Sequence, residues 1–462
     1  MYSRRTRRFA IPVVAVAAGL TLAGCAGTPS ADPTDSGPAY DPDAKVTITV
    51  GEMPTADQAA SLETFDERVA AFEELHPNIT VKGEETKYDP STFNALLVGG
   101  TAPTTVGIPF TDMQALIERG QAADITDYVA DSDILSNLNP TLDEVVRSGD
   151  RQYGVVRQAY TMALIYNRAL YEEAGLDPDD APTDWDGVLE NAKTITEKTG
   201  KTGFIIPTTN NNGGWLLTTM SYSNGSLVQK IDGDTVTVTI DTDGMKDSLQ
   251  LLHDVRWEGD AAGANFLLGP DDIRSEFAAG SVGQTVNGGS IYNDMVINRG
   301  MTGTDIGIAP MPQGDKGLGA LGGGTIQWFN PKATADEIGA ATLWTEFYWL
   351  NKYVDEDAAV ALAKSQAEDG RPVGAPELPI VNAETYETYL GWIEPYINVD
   401  RSVYEAYLTS DLAVVPEPAI KAQELYAALD PIAQAVLTDE NADIGQLLAD
   451  AETAVQAIVD AG

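Results

Sequence analysis

The chain has 462 residues, 43% of them hydrophobic, with 70 acidic against 28 basic side chains and a formal net charge of −42. That length supplies apolar residues for two or three domains, and the charge excludes nucleic acid and anionic lipid head groups as partners of the surface at large. One cysteine excludes an internal disulfide, and with only His76 and His253 besides it no His/Cys zinc cluster can be assembled.

In chain order, Arg4, Arg5, Arg7 and Arg8 precede an apolar run from Ala10 to Leu22, which ends in Leu22-Ala23-Gly24-Cys25. The run is shorter than the roughly 20 residues that a membrane-spanning helix needs. Basic, apolar and small residues followed by the lone cysteine are the layout of a bacterial lipoprotein signal over residues 1–24. Cleavage would then leave Cys25 to carry lipid and tether a soluble domain at the extracellular face of the cytoplasmic membrane. An ordinary secretory signal with a coincident cysteine is the alternative, and Thr6-Arg7-Arg8-Phe9 is a loose match to twin-arginine export. Loss of residues 1–24 removes four arginines and no acid, leaving 24 basic against 70 acidic side chains. Residues 25–44 are rich in Pro, Ser, Asp and Gly without apolar periodicity, and read as a flexible spacer.

Lys45–Val50 alternates and is β-branched, which predicts the first strand. Leu62, Phe65, Val69, Phe72 and Leu75 are spaced for a helix over 57–75, ended by Pro77, and Ile79-Thr80-Val81 predicts a second strand. Strand, helix, strand is the unit of a parallel sheet. A short helix over 93–98, a strand over 105–108 and a helix over 113–118 follow. Residues 153–156 and 163–166 read as two strands with a kink between them. Helices are predicted over 168–174, 185–199 with Asp184 as cap, 245–258, 273–279, 336–354, 416–429 and 443–460. Residues 227–240 suggest a hairpin turning at Asp232-Gly233-Asp234, and 282–286 and 306–309 suggest strands.

Catalytic signatures are missing: the chain has no H-E-x-x-H, G-x-S-x-G or G-x-x-x-x-G-K-[ST]. His76 falls in a helix-to-strand turn and His253 on an apolar helix, both structural settings. Gly317-x-Gly319-x-x-Gly322 matches a dinucleotide fingerprint, yet it follows a loop and precedes the extended segment Thr325–Phe329, so no helix N-terminus waits for a phosphate. Asp241-x-Asp243-Gly244 lacks the distant Glu of a calcium loop and suits a helix start.

Phe72-Glu73-Glu74-Leu75-His76-Pro77-Asn78-Ile79-Thr80-Val81, Ala95–Pro103 and Gly120–Thr126 recur in order with Tyr153-Gly154-Val155, Leu164-Ile165-Tyr166-Asn167-Arg168, Ala174-Gly175-Leu176 and Pro182-Thr183-Asp184-Trp185. Phe277–Gly280, Asn287-Gly288-Gly289 and Ile306–Pro312 complete the series. From residue 45 onward this order resembles the extracellular solute-binding proteins of ABC importers, the group that mostly carries sugars. Two positions depart from the pattern: Thr104 stands where an acid is usual, and Tyr292 is the aromatic offered where the family commonly places one nearer the glycines.

The resemblance implies an α/β, two-lobe periplasmic-binding-protein-like fold of type II, with a ligand cleft between lobes joined by hinge strands. Residues 45–158 and 304–352 would form lobe one, and 159–303 with 353–462 lobe two. A monomer would close on a sugar by hinge motion and be recognised by permease subunits, with no cofactor, metal or catalytic residue. Sugar faces want aromatic rings and sugar hydroxyls want paired polar groups. Candidate ligand residues are accordingly Glu52, Tyr88, Tyr160, Trp215, Asn287, Tyr292, Trp328 and Arg371. All but Asn287 and Tyr292 have a competing structural reading: a solvated acid for Glu52, a surface ring for Tyr88, hinge packing for Tyr160, and core packing for Trp215 and Trp328. Arg371 would otherwise pair with a surface acid. Trp344, Tyr348 and Trp349 read as packing. Other functions left open are binding of a polyamine or other cation, a cell-surface glycoside hydrolase with two apposed carboxylates, and adhesion or sensing without transport.

Overall fold

A computed structural model describes residues 41–56, 58–89, 92–232 and 235–461. The expected signal, Cys25 and nearly all of the spacer lie outside them, as do Gly233 and Asp234 at the expected hairpin tip. Among the described residues no helix is long and apolar enough to cross a membrane.

The chain opens with β1 (Val46–Val50), α1 (Ala59–Leu75) and β2 (Ile79–Gly83), and β1 and β2 pair in parallel as the βαβ reading requires. α2 (Phe93–Gly99), β3 (Thr105–Pro109) and α3 (Phe110–Glu118) follow. After a short antiparallel pair at Arg147–Ser148 and Arg151–Gln152, the long strand β4 runs unbroken over Gly154–Asn167. Beyond it come α4 (Arg168–Ala174), α5 (Trp185–Thr199), β5 (Thr202–Phe204) and α6 (Asn212–Ser223). α5 starts where Asp184 accepts a hydrogen bond from the Gly187 N–H, as a cap does. α7 (Asp243–His253), α8 (Pro270–Ala278), β6 (Val282–Gly288), β7 (Ile306–Pro310) and β8 (Ala320–Phe329) lead to α9 (Ala335–Thr345). α10 (Glu356–Glu368), α11 (Ala383–Ile393), β9 (Val414–Pro416), α12 (Ala422–Thr438) and α13 (Ile444–Asp460) complete the chain. The hairpin forms, with Gln229–Asp232 antiparallel to Thr235–Val238.

The two strands expected around residue 160 are one strand that belongs to two sheets. From Gly154 to Thr161, β4 pairs antiparallel with β8; from Met162 to Asn167 it pairs with β6 and β7. The strand order is β2-β1-β3-β8-β4-β6-β5, with β7 added beside β4 and β9 beside β8. β8 crosses as well. Its Ala320 and Leu321 enter the core built on α5, α6, α7 and α12, whereas Ile326, Trp328 and Phe329 enter the core of β3, α3 and α11. Gly322, Gly323 and Gly324 lie between these halves, and a Cβ on Gly324 would sit 2.0 Å from the Gln158 carbonyl, so only glycine lets the crossing strands pair there.

The packing draws the lobe boundaries elsewhere than the expected linear division. Ile306, Ile308 and Met311 pack with the second lobe, because β7 pairs with the far half of β4. Ala359, Ala363, Tyr386 and Leu390 of α10 and α11 pack with the first lobe, together with Val106 and Trp328.

Two further expectations are corrected. The helix expected over 416–429 runs over Ala422–Thr438, because Pro416 and Pro418 keep the backbone around Glu417 out of the helical region. The glycine-rich Asn210–Trp215 segment, which by composition reads as a polar loop, instead leads into α6 from Asn212. Asp430 of α12 accepts hydrogen bonds from the N–H groups of Asn211 (2.7 Å) and Gly214 (2.8 Å), serving as a cap supplied by another helix. Gly214 allows this approach: a Cβ there would lie 2.1 Å from the Tyr426 carbonyl oxygen.

Gly214→Ala is expected to lower unfolding stability by about 2–3 kcal/mol through overpacking. Gly391→Ala, in α11 with nothing near its added Cβ, is expected to raise it by about 0.5–1 kcal/mol. Urea denaturation of the two variants checks both signs.

Candidate groove between the lobes

Three adjoining hollows of about 370, 730 and 390 Å³ follow the crossing strands. The first and second share Gln158 and Tyr160 of β4; the second and third share Asn293, Lys352, Tyr353, Leu362 and Glu377. The first is bounded by Pro109, Phe110 and Thr111 at the β3–α3 junction, by the three glycines of β8 and by Glu417. The second takes Arg68, Tyr348, Trp349 and Lys352 from lobe one, and Ser290, Asn293 and Tyr407 from lobe two. It therefore lies between the lobes.

The floor of the central hollow is aromatic. After α9 the backbone makes a π turn over Glu346–Leu350, which inserts one extra residue into the helical repeat. Trp344 stays in the core, 2% exposed, and stacks on Tyr348 at 4.9 Å. Tyr348 and Trp349 meet edge to face at 4.7 Å, and both line the hollow. The Trp349 indole Nε1 is buried without a hydrogen-bond partner. So is Asn293 Oδ1, which lies just before a second π turn at Asp294–Asn298. Trp349 and Asn293, one from each lobe, line this hollow, while these two polar atoms themselves face inward, away from its open space.

Beneath Trp349 lies Arg157, its guanidinium carbon 4.0 Å from the ring centroid. Arg157 Nη2 donates to both carboxylate oxygens of Glu52 (3.0 and 2.8 Å), and Nη1 donates to Gln327 Oε1 at 2.8 Å. Glu52 also accepts from the Gly107 N–H at 3.0 Å. Gln327 in turn donates to Thr105 Oγ1 at 2.6 Å, and Thr105 donates to the Trp328 carbonyl at 2.7 Å. Burial pulls the Arg157 guanidinium below its ordinary pKa, and the Glu52 charge opposes that shift. At the other end of the groove, Glu417 accepts from the Tyr160 hydroxyl (3.1 Å) and the Tyr426 hydroxyl (3.0 Å). Burial first and the Glu417 charge second push both phenols far above the usual tyrosine value, so they stay neutral donors.

The sequence-predicted site residues divide. Tyr160 lines the first two hollows, and Arg371, exposed, lines the third. Glu52 sits directly behind the groove with its carboxylate occupied by Arg157, because a guanidinium only 7% exposed needs a counter-charge. Tyr292 and Trp328 are core residues, 1% and 0% exposed. Tyr292 packs edge-on to Tyr404, and Trp328 packs on Phe93 and donates its Nε1–H to the Gln121 carbonyl. Trp215 is half-buried against the second-lobe core, Tyr88 packs on Phe93 and bonds Asp112, and Asn287 accepts from the Gly288 N–H. None of Tyr88, Trp215, Asn287, Tyr292 and Trp328 borders the three hollows.

Arg157, Asn293, Tyr348, Trp349 and Glu417 were not anticipated. One signal was available for two of them: adjacent aromatics on a helix point about 100° apart, so Tyr348 and Trp349 cannot both share the core stripe that holds Trp344. Of the dinucleotide-like glycines, Gly317 and Gly319 lie in the loop before β8 and Gly322 within it, and Asp243 starts α7, as the sequence implied. Among the described residues no group of His, Cys, Asp and Glu is arranged to hold a metal ion.

Removing the Glu52 carboxylate leaves the buried cation uncompensated. Allowing for the 31% exposure of the Glu52 side chain, Glu52→Ala is expected to cost about 2 kcal/mol. Glu52→Gln, which keeps the hydrogen-bond acceptor, is expected to cost about half as much. Denaturant titration of the two variants measures the difference.

Comparison with known proteins gives a consistent family. A family model described as bacterial extracellular solute-binding protein matches residues 55–364. The chain is 24% identical over 336 residues to a Brucella abortus (strain 2308) protein named only as a binding protein, covering 70% of this chain and 77% of that one. It is 24% identical over 207 residues to the arabinooligosaccharide-binding protein of Halalkalibacterium halodurans, covering 42% and 43% of the two chains. In structure it is similar to the cyclic α-maltosyl-1,6-maltose binding protein from Arthrobacter globiformis, with a TM-score of 0.62, 21% identity, and coverage of 92% of this chain and 100% of that one.

Proposed function

Because the chain belongs to the bacterial extracellular solute-binding protein family, we propose that it captures a sugar or oligosaccharide in the groove between its lobes and delivers it unaltered to the permease subunits of an ABC importer. One observation carries the sugar reading. Trp349 and Tyr348 offer ring surface in a hollow that polar side chains line from both lobes, Arg68, Asn351 and Lys352 from one and Ser290 and Asn293 from the other. A sugar hydroxyl both donates and accepts, and the C–H face of its ring packs on aromatic surface. The named relatives that bind oligosaccharides support the same class. A ligand touching Trp349 and Asn293 together favours the conformation in which both reach it, so binding shifts the molecule toward closure. An amine ligand has less support, because the central hollow presents Arg68, Arg157 and Lys352 against the single carboxylate of Glu377.

The same reading extends to the ends of the process. Residues 1–24 act as a lipoprotein signal, Cys25 carries the lipid, and the acidic monomer is held outside the cytoplasmic membrane by its spacer. Transport energy comes from the importer's ATPase, so the groove performs no chemistry on its ligand.

Residues 45–462, screened by thermal shift against mono- and oligosaccharides, should be stabilised by at least one sugar in a concentration-dependent way. The bound form should have a smaller radius of gyration by X-ray scattering. Released product in the same tubes would instead identify a hydrolase. Trp349→Ala should weaken that sugar by about 2 kcal/mol or more. Trp328→Ala should lower folding stability by about 3 kcal/mol and leave the affinity of the folded protein near that of wild type, as isothermal titration can determine.

A further inference from the structure

We propose that the ligand carries an anionic group, a carboxylate or a phosphate, which Arg68 and Lys352 read beside the Tyr348–Trp349 platform; this rests on the sugar-capture reading above. The chain holds 70 acidic side chains against 28 basic ones, yet the charged lining of the central hollow is Arg68, Arg157 and Lys352 against Glu377 alone.

The three cations are not equivalent. Arg157 is committed: Glu52 neutralises it and Gln327 takes a further N–H. Lys352 reaches Glu377 only at 3.4 Å, and the Glu377 side chain is 73% exposed, so that pair is weak and open to exchange. Arg68 projects from α1, half-buried, 5.1 Å from the centroid of the Tyr348 ring. It donates Nη1 to the Tyr348 carbonyl at 2.5 Å, and among the described residues it forms no ion pair with a carboxylate. A guanidinium carries five N–H donors, so most of its donating capacity remains after that bond.

Held at the rim of an aromatic floor, such a group suits bidentate recognition of a planar or tetrahedral oxyanion. Its placement also answers an electrostatic difficulty. A strongly acidic protein repels anions at long range, so an anionic ligand needs a local cation to bind at all, whereas a neutral sugar needs none. Arg371, on the third hollow, continues the same sign along the groove.

The test compares matched pairs of probes that differ only in charge: galacturonate with galactose, digalacturonate with galactobiose, and glucose 6-phosphate with glucose. Isothermal titration of residues 45–462 at 50 and 300 mM salt gives the readout. At 50 mM salt the anionic member of at least one pair should bind ten times more tightly or better, and the advantage should shrink at 300 mM. Preference within the uronate pairs assigns a carboxylate, and preference within the phosphate pair assigns a phosphate. Arg68→Met should cut the anion-to-neutral affinity ratio at least fivefold, and Arg68→Lys should keep more of it; unliganded melting temperatures confirm that both variants fold. If neutral sugars bind as tightly as their anionic partners, or the ratio survives in Arg68→Met, this inference is overturned while sugar capture stands. If no sugar of either charge binds, sugar capture fails and takes this inference with it.

Discussion

The pairing of Arg157 with Glu52 is the constraint on which the groove depends. Arg157 lies on the strand that joins the lobes, Glu52 follows β1, and Gly107, Thr105 and Gln327 tie the same cluster to β3 and β8. One buried cation therefore fastens the connecting strand to the sheet of lobe one and supports the underside of Trp349. Leaving any member unsatisfied would cost the desolvation of a charge, which is why such clusters hold a single geometry. The platform is thus an extension of the lobe-one core, and its position does not depend on a loop.

Lobe two contributes differently. Asn293 and Ser290 reach the central hollow from the turn after β6, and Glu417 reaches the first hollow from an extended segment held by prolines. Tyr160 and Tyr426 clamp Glu417, so one end of the groove is anchored to the hinge strand and to α12 together. The rigid aromatic surface and the anchored acid sit on separate bodies joined by β4, β8 and β9. On the proposed function, a ligand that touches both bodies would couple its capture to hinge motion.

Much of this fold was legible from residue pattern. Alternating β-branched runs and three-to-four spaced apolar residues defined β1, α1 and β2, and Asp184 marked the start of α5. Ordered segments along the chain implied two lobes. Strand continuity was not legible, because residues 157–161 carry Arg, Gln and Tyr for local reasons of charge pairing and groove lining that break the apolar alternation. The site was read less well. Trp328 is a candidate because it follows three glycines and Tyr292 because its loop resembles the family's contact loop, but neither signal reveals which way the side chain faces, and both point into cores. Trp349 reads as packing when it is grouped with Trp344 and Tyr348 as one aromatic set, although its position next to Tyr348 turns it toward a different side, where it lines the hollow. Arg157 carries no local signature, since its partner lies 105 residues away.

The bare stretch Gly322-Gly323-Gly324 has a mechanical consequence. Where β8 passes β4, Gly322 and Gly324 lie against the Tyr160 and Gln158 carbonyls, and the Tyr160 ring covers Gly323. The three glycines add no side chain of their own to this seam, so its ladder hydrogen bonds and the Tyr160 ring are what hold it. Substitutions inside either body then leave this crossing untouched, and the three glycines alone set how closely the two backbones approach there.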